Sequence, residues 1–230
     1  MANSGNIWDV IHLFEKLQDE NPSFQYSLKK NEIGKPEAVA WATAEMRRDL
    51  IRFGDSMFID MRKTAVNNLG WNYCGPTIKD GDMKVRVVAE CLCYVEDMNM
   101  YTWLLRQLEI FEPQYGLNQT RFLFADSLVT DTLLVKLGIT ESCTLRGDYY
   151  HLLNEDWPQF FGDHLWFGQL QPLLEKMITG DVNDWENCYL QARRIVHCNN
   201  NHYEYLEGIY KNPFVSVTFT RSDIWEKNNT

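Results

Sequence analysis

Asp60 ends the apolar run Met57-Phe58-Ile59, and Asp126 ends Phe122-Leu123-Phe124-Ala125. An apolar run that stops at a carboxylate reads as a buried strand delivering an acid to the carboxyl edge of a sheet. Open α/β sheets place their ligands at that edge. Two such acids on neighbouring strands can share a divalent cation, as phosphoryl-transfer and nuclease sites do. Many α/β folds also end a strand in Asp with no chemical purpose, so the surrounding elements must decide.

Ile7 to Asp19 carries Ile7, Trp8, Ile11, Phe14 and Leu17 at close to helical spacing, and Asn21-Pro22 ends it. Phe24 to Leu28 alternates like a strand, and Ala38 to Ala42 is a second short apolar segment. Ala44 to Arg52 reads as a helix closed at Gly54-Asp55. Met57 to Asp60, Gly70 to Cys74 and Val85 to Val95 read as three strands. Asp80-Gly81-Asp82 is a hairpin-type turn before the last of them. They predict an antiparallel meander with Asp60 on its first strand. A helix over Tyr101 to Phe111, a strand over Arg121 to Ala125, a helix over Thr130 to Leu137 and a strand over Ser142 to Arg146 follow. After Gly147 the pattern turns helical: Tyr149 to Phe161, Trp166 to Ile178, Asn183 to Val196 and His202 to Tyr210.

The predicted class is therefore α/β, an α+β mixed sheet followed by an all-helical region. Its divisions are a lead-in over 1–55, a core over 56–147 and helices over 148–230. Three meander strands, then helix, strand, helix, strand, is the order of a ribonuclease-H-like core. Asp60 falls on its first strand and Asp126 on its fourth, beside it.

Composition limits the partners. The 230 residues carry 22 Lys and Arg against 32 Asp and Glu, a net charge of −10. That opposes strong nonspecific binding to a phosphate backbone, which needs clustered cations. No stretch approaches the roughly 20 apolar residues that span a bilayer. The Met1-Ala2-Asn3-Ser4-Gly5-Asn6 start lacks the features of a signal peptide. The expectation is a nuclear or cytoplasmic protein, neither secreted nor membrane-bound. The six cysteines form no C-x-x-C pair and read as reduced packing thiols. No glycine-rich loop predicts a nucleotide cofactor.

From Trp41 to about Leu137 the residues resemble the transposase domain of Mutator-like elements, the group that includes plant FAR1-type regulators. The matching features are Ala40-Trp41-Ala42, Phe53-Gly54-Asp55, Phe58-Ile59-Asp60, Lys63-Thr64 with Asn67 or Asn68 near, Glu96, Tyr101-Thr102-Trp103-Leu104-Leu105 and Phe124-Ala125-Asp126. Asp148-Tyr149-Tyr150-His151 stands where such transposases carry a Cys or Asp, two residues, then His. The resemblance implies a helical insertion after it. It also implies a DDE triad of Asp60, Asp126 and a later Glu, holding Mg²⁺ or Mn²⁺ for cleavage and strand transfer of DNA. A homo-oligomer is a further implied partner.

The third acid has no match in context. Glu204, Glu207 and Glu226 stand there by position, while Glu226-Lys227-Asn228-Asn229-Thr230 looks like the lead-in to that motif. The resemblance thus implies a transposase domain incomplete or inactive as it stands. Its alternative is a domesticated, non-catalytic interaction module of the same fold.

Plainer readings stand beside these. Asp148 can cap the helix that follows it, leaving His151 a surface residue. His197, Cys198 and His202 match no standard zinc spacing. Trp157, Trp166, Trp185 and Tyr150 read as helical core rather than base-stacking platforms. Lys29-Lys30, Arg47-Arg48 and Arg193-Arg194 read as solvated faces, as does Lys63 with Arg62.

Overall fold

A computed structural model describes residues 6–62, 67, 69–125, 131–147, 157–162, 164–179, 182–196 and 200–211. The chain divides into two compact units, Met1–Leu145 and Arg146–Thr230. The first is mixed α and β; the second begins with the last two residues of a strand, Arg146-Gly147, and its other described residues form helices and short turns.

In the first unit, α1 (Ile7–Glu20) starts at a reciprocal cap. Asn6 Oδ1 accepts from the Trp8 amide at 3.1 Å, and the Asn6 amide donates to Asp9 Oδ2 at 3.3 Å. The hairpin β1 (Gln25–Lys30) and β2 (Pro36–Ala42) follows, then α2 (Ala44–Phe53). Thr43 Oγ1 caps α2 by accepting from the Met46 amide at 3.3 Å.

Three long strands come next, and each is broken once. The first is β3 (Ser56–Phe58) and β4 (Met61–Arg62), broken at Ile59-Asp60. The second is β5 (Asn72–Cys74) and β6 (Thr77–Lys79), broken at Gly75-Pro76. The third is β7 (Val85–Val87) and β8 (Glu90–Cys93), broken at Val88-Ala89. After them come α3 (Met98–Phe111), β9 (Phe122–Ala125), α4 (Asp131–Leu137) and β10 (Thr144–Gly147).

The breaks divide the strands between two five-stranded sheets, ordered β1-β2-β8-β5-β4 and β10-β9-β3-β6-β7. Every pairing in the first is antiparallel. In the second, β3 runs antiparallel to β6 and parallel to β9. Hydrogen bonds such as Val88 N to Pro76 O at 2.9 Å span the breaks. The hairpin β1–β2 bonds to β8, so the 1–55 lead-in is built into a sheet of the first unit.

Alternation sets which side of each strand is buried. Met57, Ile59, Met61, Cys74, Ile78, Cys91, Cys93 and Leu123 are buried, as are Leu104, Leu105 and Leu108 of α3. Helix α3 packs on β2, whose buried Ala38, Ala40 and Ala42 leave room for its backbone. On the first sheet a second cluster forms from Phe14 of α1 with Phe24, Val39, Leu92 and Trp41. The Phe14 and Trp41 rings are 4.8 Å apart.

Several boundaries differ from the sequence reading. Thr77–Lys79 is a strand that Gly75-Pro76 disguised as the end of its predecessor. The predicted strand Val85 to Val95 is two strands. Helix α3 begins at Met98 rather than Tyr101, because Asp97 caps it by accepting from the Met100 amide at 2.7 Å. In the turn after β6 the left-handed residue is Met83 (φ 62), not Gly81. Asp80 holds that turn, accepting from the Asp82 and Lys84 amides at 3.0 and 2.9 Å. Its carboxyl is held below the usual carboxylate range, first by the Arg86 guanidinium.

Arg47 is a clamp, not a solvated charge. It donates to Phe111 O at 3.1 Å and Ser23 O at 3.0 Å, and pairs with Glu112 at 3.7 Å. It thereby ties α2 to the end of α3 and the start of the hairpin. At Gly54 an added Cβ would lie 2.5 Å from Leu50 O and 2.8 Å from the Tyr115 ring. A side chain there would displace the α2 backbone or the Tyr115 ring.

In the second unit, α5 (Trp157–Phe161), α6 (Phe167–Thr179), α7 (Val182–Val196) and α8 (Asn200–Lys211) share one core. Leu170, Leu174 and Met177 on α6 and Trp185, Cys188, Tyr189, Ala192 and Val196 on α7 are all buried. That is the stripe spacing of a core-facing helix. Trp157 and Trp185 lie in this core and Trp166 packs against it; Tyr150 lies outside the described residues. His202 is core as well: its ring lies 5.0 Å from Phe160, 5.3 Å from Trp166 and 4.4 Å from His164. His197 and Cys198 lie outside the described residues.

Two outcomes are expected. Arg47→Met should destabilise the first unit by about 1.5–3 kcal/mol, the worth of charged hydrogen bonds lost, read from urea midpoints. Burial first, then the neighbouring His164, lowers the His202 pKa below its ordinary 6.5. The unfolded chain therefore binds the proton more readily than the folded one. His202 costs nothing above about pH 6.5, and stability is lost as pH falls below it. Urea melts at pH 7.5 and 5.5 should show this loss, and His202→Leu should remove part of it.

Candidate functional site

Asp60 does not end its strand; it interrupts it. The Ile59 amide donates to Phe124 O at 2.8 Å, extending the parallel ladder that pairs Ser56 with Phe122 and Phe58 with Phe124. After that bond the strand leaves β9, and β4 continues along β5, pairing Met61 with Cys74 and Arg62 with Tyr73. Asp60 sits in the gap between the two ladders. Met57, Ile59 and Met61 turn into the core, which puts Phe58, Asp60 and Arg62 together on the opposite side.

That side carries a cavity of about 200 Å³. Phe58, Asp60 and Arg62 line it from the first long strand, Tyr73, Gly75 and Thr77 from the second, and Val87 from the third. Its walls are fixed. The Phe58 ring stacks on Phe124, centroids 4.4 Å apart and planes 12° from parallel. Tyr73 donates its hydroxyl proton to Glu90 Oε1 at 2.9 Å, and Trp41 Nε1 donates to Glu90 Oε2 at 2.8 Å. Burial, then the Glu90 carboxylate, drives the Tyr73 hydroxyl well above its ordinary pKa, so it stays protonated. A Cβ at Gly75 would lie 2.7 Å from the Tyr73 hydroxyl. Glycine there lets the phenol lie flat against the strand break.

Cations surround the cavity. Arg62 is exposed and makes no ion pair among the described residues. Lys79 Nζ lies 5.8 Å from the Phe58 ring centroid. Under Asp60, Cys74 is fully buried, and burial first, then Cys93 and the Asp60 carboxylate, push its thiol pKa far up. It is a packing group rather than a nucleophile.

Of the other sequence-predicted site residues, Asp126, Asp148 and His151 lie outside the described residues, as do Lys63, Thr64, Asn68 and Glu226. Asn67 closes a loop, accepting from the Leu69 and Trp71 amides at 3.0 and 3.3 Å. Glu96 accepts from the Tyr101 hydroxyl at 3.0 Å at the head of α3. Glu207 accepts from Tyr189 and pairs with Arg193 at 3.5 Å, while Glu204 is exposed. Among the described residues no three His, Cys, Asp or Glu side chains gather to hold a metal ion. Asp60 supplies a hard oxygen donor, the right type for Mg²⁺ or Mn²⁺, but a tight site needs further acids.

Tyr73, Thr77, Val87 and Glu90 were not foreseen as site residues. The signal that could have found Arg62 is its interval of two from Asp60, which on a strand means one face. Tyr73 and Thr77 needed the cross-strand register. No family model matches the chain, and no curated protein matches it.

Proposed function

We propose that the first unit is a ribonuclease-H-like core of the Mutator-transposase type, and that it engages DNA at Asp60. The observation carrying this reading is the strand order β10-β9-β3-β6-β7, with an acid where the central strand leaves its parallel partner. Three antiparallel strands, a crossover helix and two further strands make that order. It brings the first and fourth strands side by side. Paired positions on β3 and β9 differ by the same interval that separates Asp60 from Asp126 in sequence.

In this reading a carboxylate oxygen of Asp60 holds a divalent cation, with Asp126 as second ligand. Bound there, the cation would neutralise a scissile phosphate and lower the pKa of the attacking oxygen. Arg62, two residues along the same face, meets a neighbouring phosphate oxygen. The buried Ile59 and Met61 that flank Asp60 fix its backbone. In this reading the third acid is unassigned, and Asp60 and Asp126 by themselves would hold one cation weakly. The net charge of −10 favours a second reading, a non-catalytic interaction module of the same fold.

The test is Mn²⁺ broadening of assigned side-chain signals. Tyr73 and Thr77, which line the cavity with Asp60, should broaden in the wild type and stay sharp in Asp60→Asn. Equal broadening in both would remove Asp60 from any metal site. With Mn²⁺ bound, cleavage of a labelled duplex separates the readings: slow nicking lost in Asp60→Asn supports the enzyme, binding without nicking the module.

A further inference from the structure

The cavity beside Asp60 has contents that a metal site does not call for. It has an aromatic wall, Phe58, an aliphatic one, Val87, and two hydroxyl-bearing side chains, Tyr73 and Thr77. At about 200 Å³ it falls below the roughly 300–1,000 Å³ of pockets for drug-sized ligands. It therefore suits one ring system rather than a whole cofactor. Its aromatic wall is rigid, because Phe58 is stacked on Phe124. Tyr73 is equally fixed, through Glu90 to Trp41. Arg62 stands at the cavity with no ion-pair partner among the described residues. Lys79 lies near the Phe58 ring.

A ring-sized slot with a flat aromatic wall, two hydroxyls and a nearby guanidinium fits one chemical unit, a nucleotide. We infer that this cavity holds a single unstacked nucleotide of a DNA strand, next to the phosphate engaged at Asp60. This inference rests on the core reading above and adds to it a base-holding subsite. The base lies against Phe58 and Val87. Its edge meets the Tyr73 and Thr77 hydroxyls, and its phosphate meets Arg62. A base that leaves the stack loses its neighbours, and the Phe58 face replaces one of them. Recognition of this kind favours single strands and frayed ends over intact duplex. It also reconciles DNA binding with an acidic chain, since stacking supplies attraction that net charge does not.

The test uses the full chain and a single-stranded oligonucleotide carrying 2-aminopurine, whose fluorescence reports stacking. Binding is followed in Ca²⁺ to suppress cleavage. The wild type should brighten the probe, as its base leaves the stack, and bind it at least tenfold more tightly than the matching duplex. Val87→Trp, which fills the slot, and Arg62→Glu, at an exposed position, should each weaken binding about tenfold or more. Arg62→Glu alters no core contact, so its result stands if Val87→Trp fails to fold. If the wild type binds and both folded variants bind equally well, the subsite is overturned while the core reading survives. If the wild type binds no oligonucleotide of either kind, the core reading falls and the subsite with it. A tryptophan-containing peptide that binds the wild type and loses affinity in Arg62→Glu, where the oligonucleotide's affinity does not change, would make the slot a protein-docking pocket and overturn the inference.

Discussion

The Ile59 amide and the Phe124 carbonyl, 2.8 Å apart, join two segments far apart in sequence. A parallel pair cannot be closed by a tight turn; it needs a crossover. Here the chain between the two segments includes the other two long strands and α3, whose buried Leu104, Leu105 and Leu108 help form the core. Once α3 is seated, β9 has its place beside β3. The cavity, the Phe58–Phe124 stack and the position of Asp60 all follow from that pairing. Loss of the crossover would separate the site's parts without touching any of them.

The three strand breaks are the second structural condition. A continuous strand through Asp60 would pair both its backbone groups along its length. The break at Ile59-Asp60 lets the chain change partner, from β9 to β5, within two residues. Gly75-Pro76 and Val88-Ala89 break the neighbouring strands. Pro76 has no amide proton to contribute to a ladder and sits in such a gap, where proline is tolerated. The cavity's lining residues flank these breaks. Local irregularity here opens a cavity at the sheet breaks.

Much of this was legible in the sequence, for a physical reason in each case. The run into Asp60 was legible because Met57 and Ile59 are buried and flank the half-buried Phe58. The helices Phe167–Thr179, Val182–Val196 and Asn200–Lys211 were legible because their apolar stripes keep a helical period over three or four turns, while the expected helix over Tyr149 to Phe161 is described only from Trp157. What stayed hidden depends on cross-strand contacts. Thr77–Lys79 is short, and one side of it is exposed. Glu90 gains meaning only from Tyr73 and Trp41, distant in sequence. Arg47 carries the charge of a surface residue, but two carbonyls from separate elements converge on it. His202 stands near His197 and Cys198 in sequence, but aromatic rings surround it.

The most direct test of the proposal that Asp60 and Asp126 together hold a metal ion is a crystal structure of the protein soaked in Mn²⁺. Anomalous scattering would locate the ion. The account predicts one peak within bonding distance of carboxylate oxygens from both Asp60 and Asp126, at the edge of the cavity lined by Phe58 and Arg62. A structure in which Mn²⁺ binds elsewhere, with the Asp60 carboxylate committed to hydrogen bonds from its own neighbours, would contradict it.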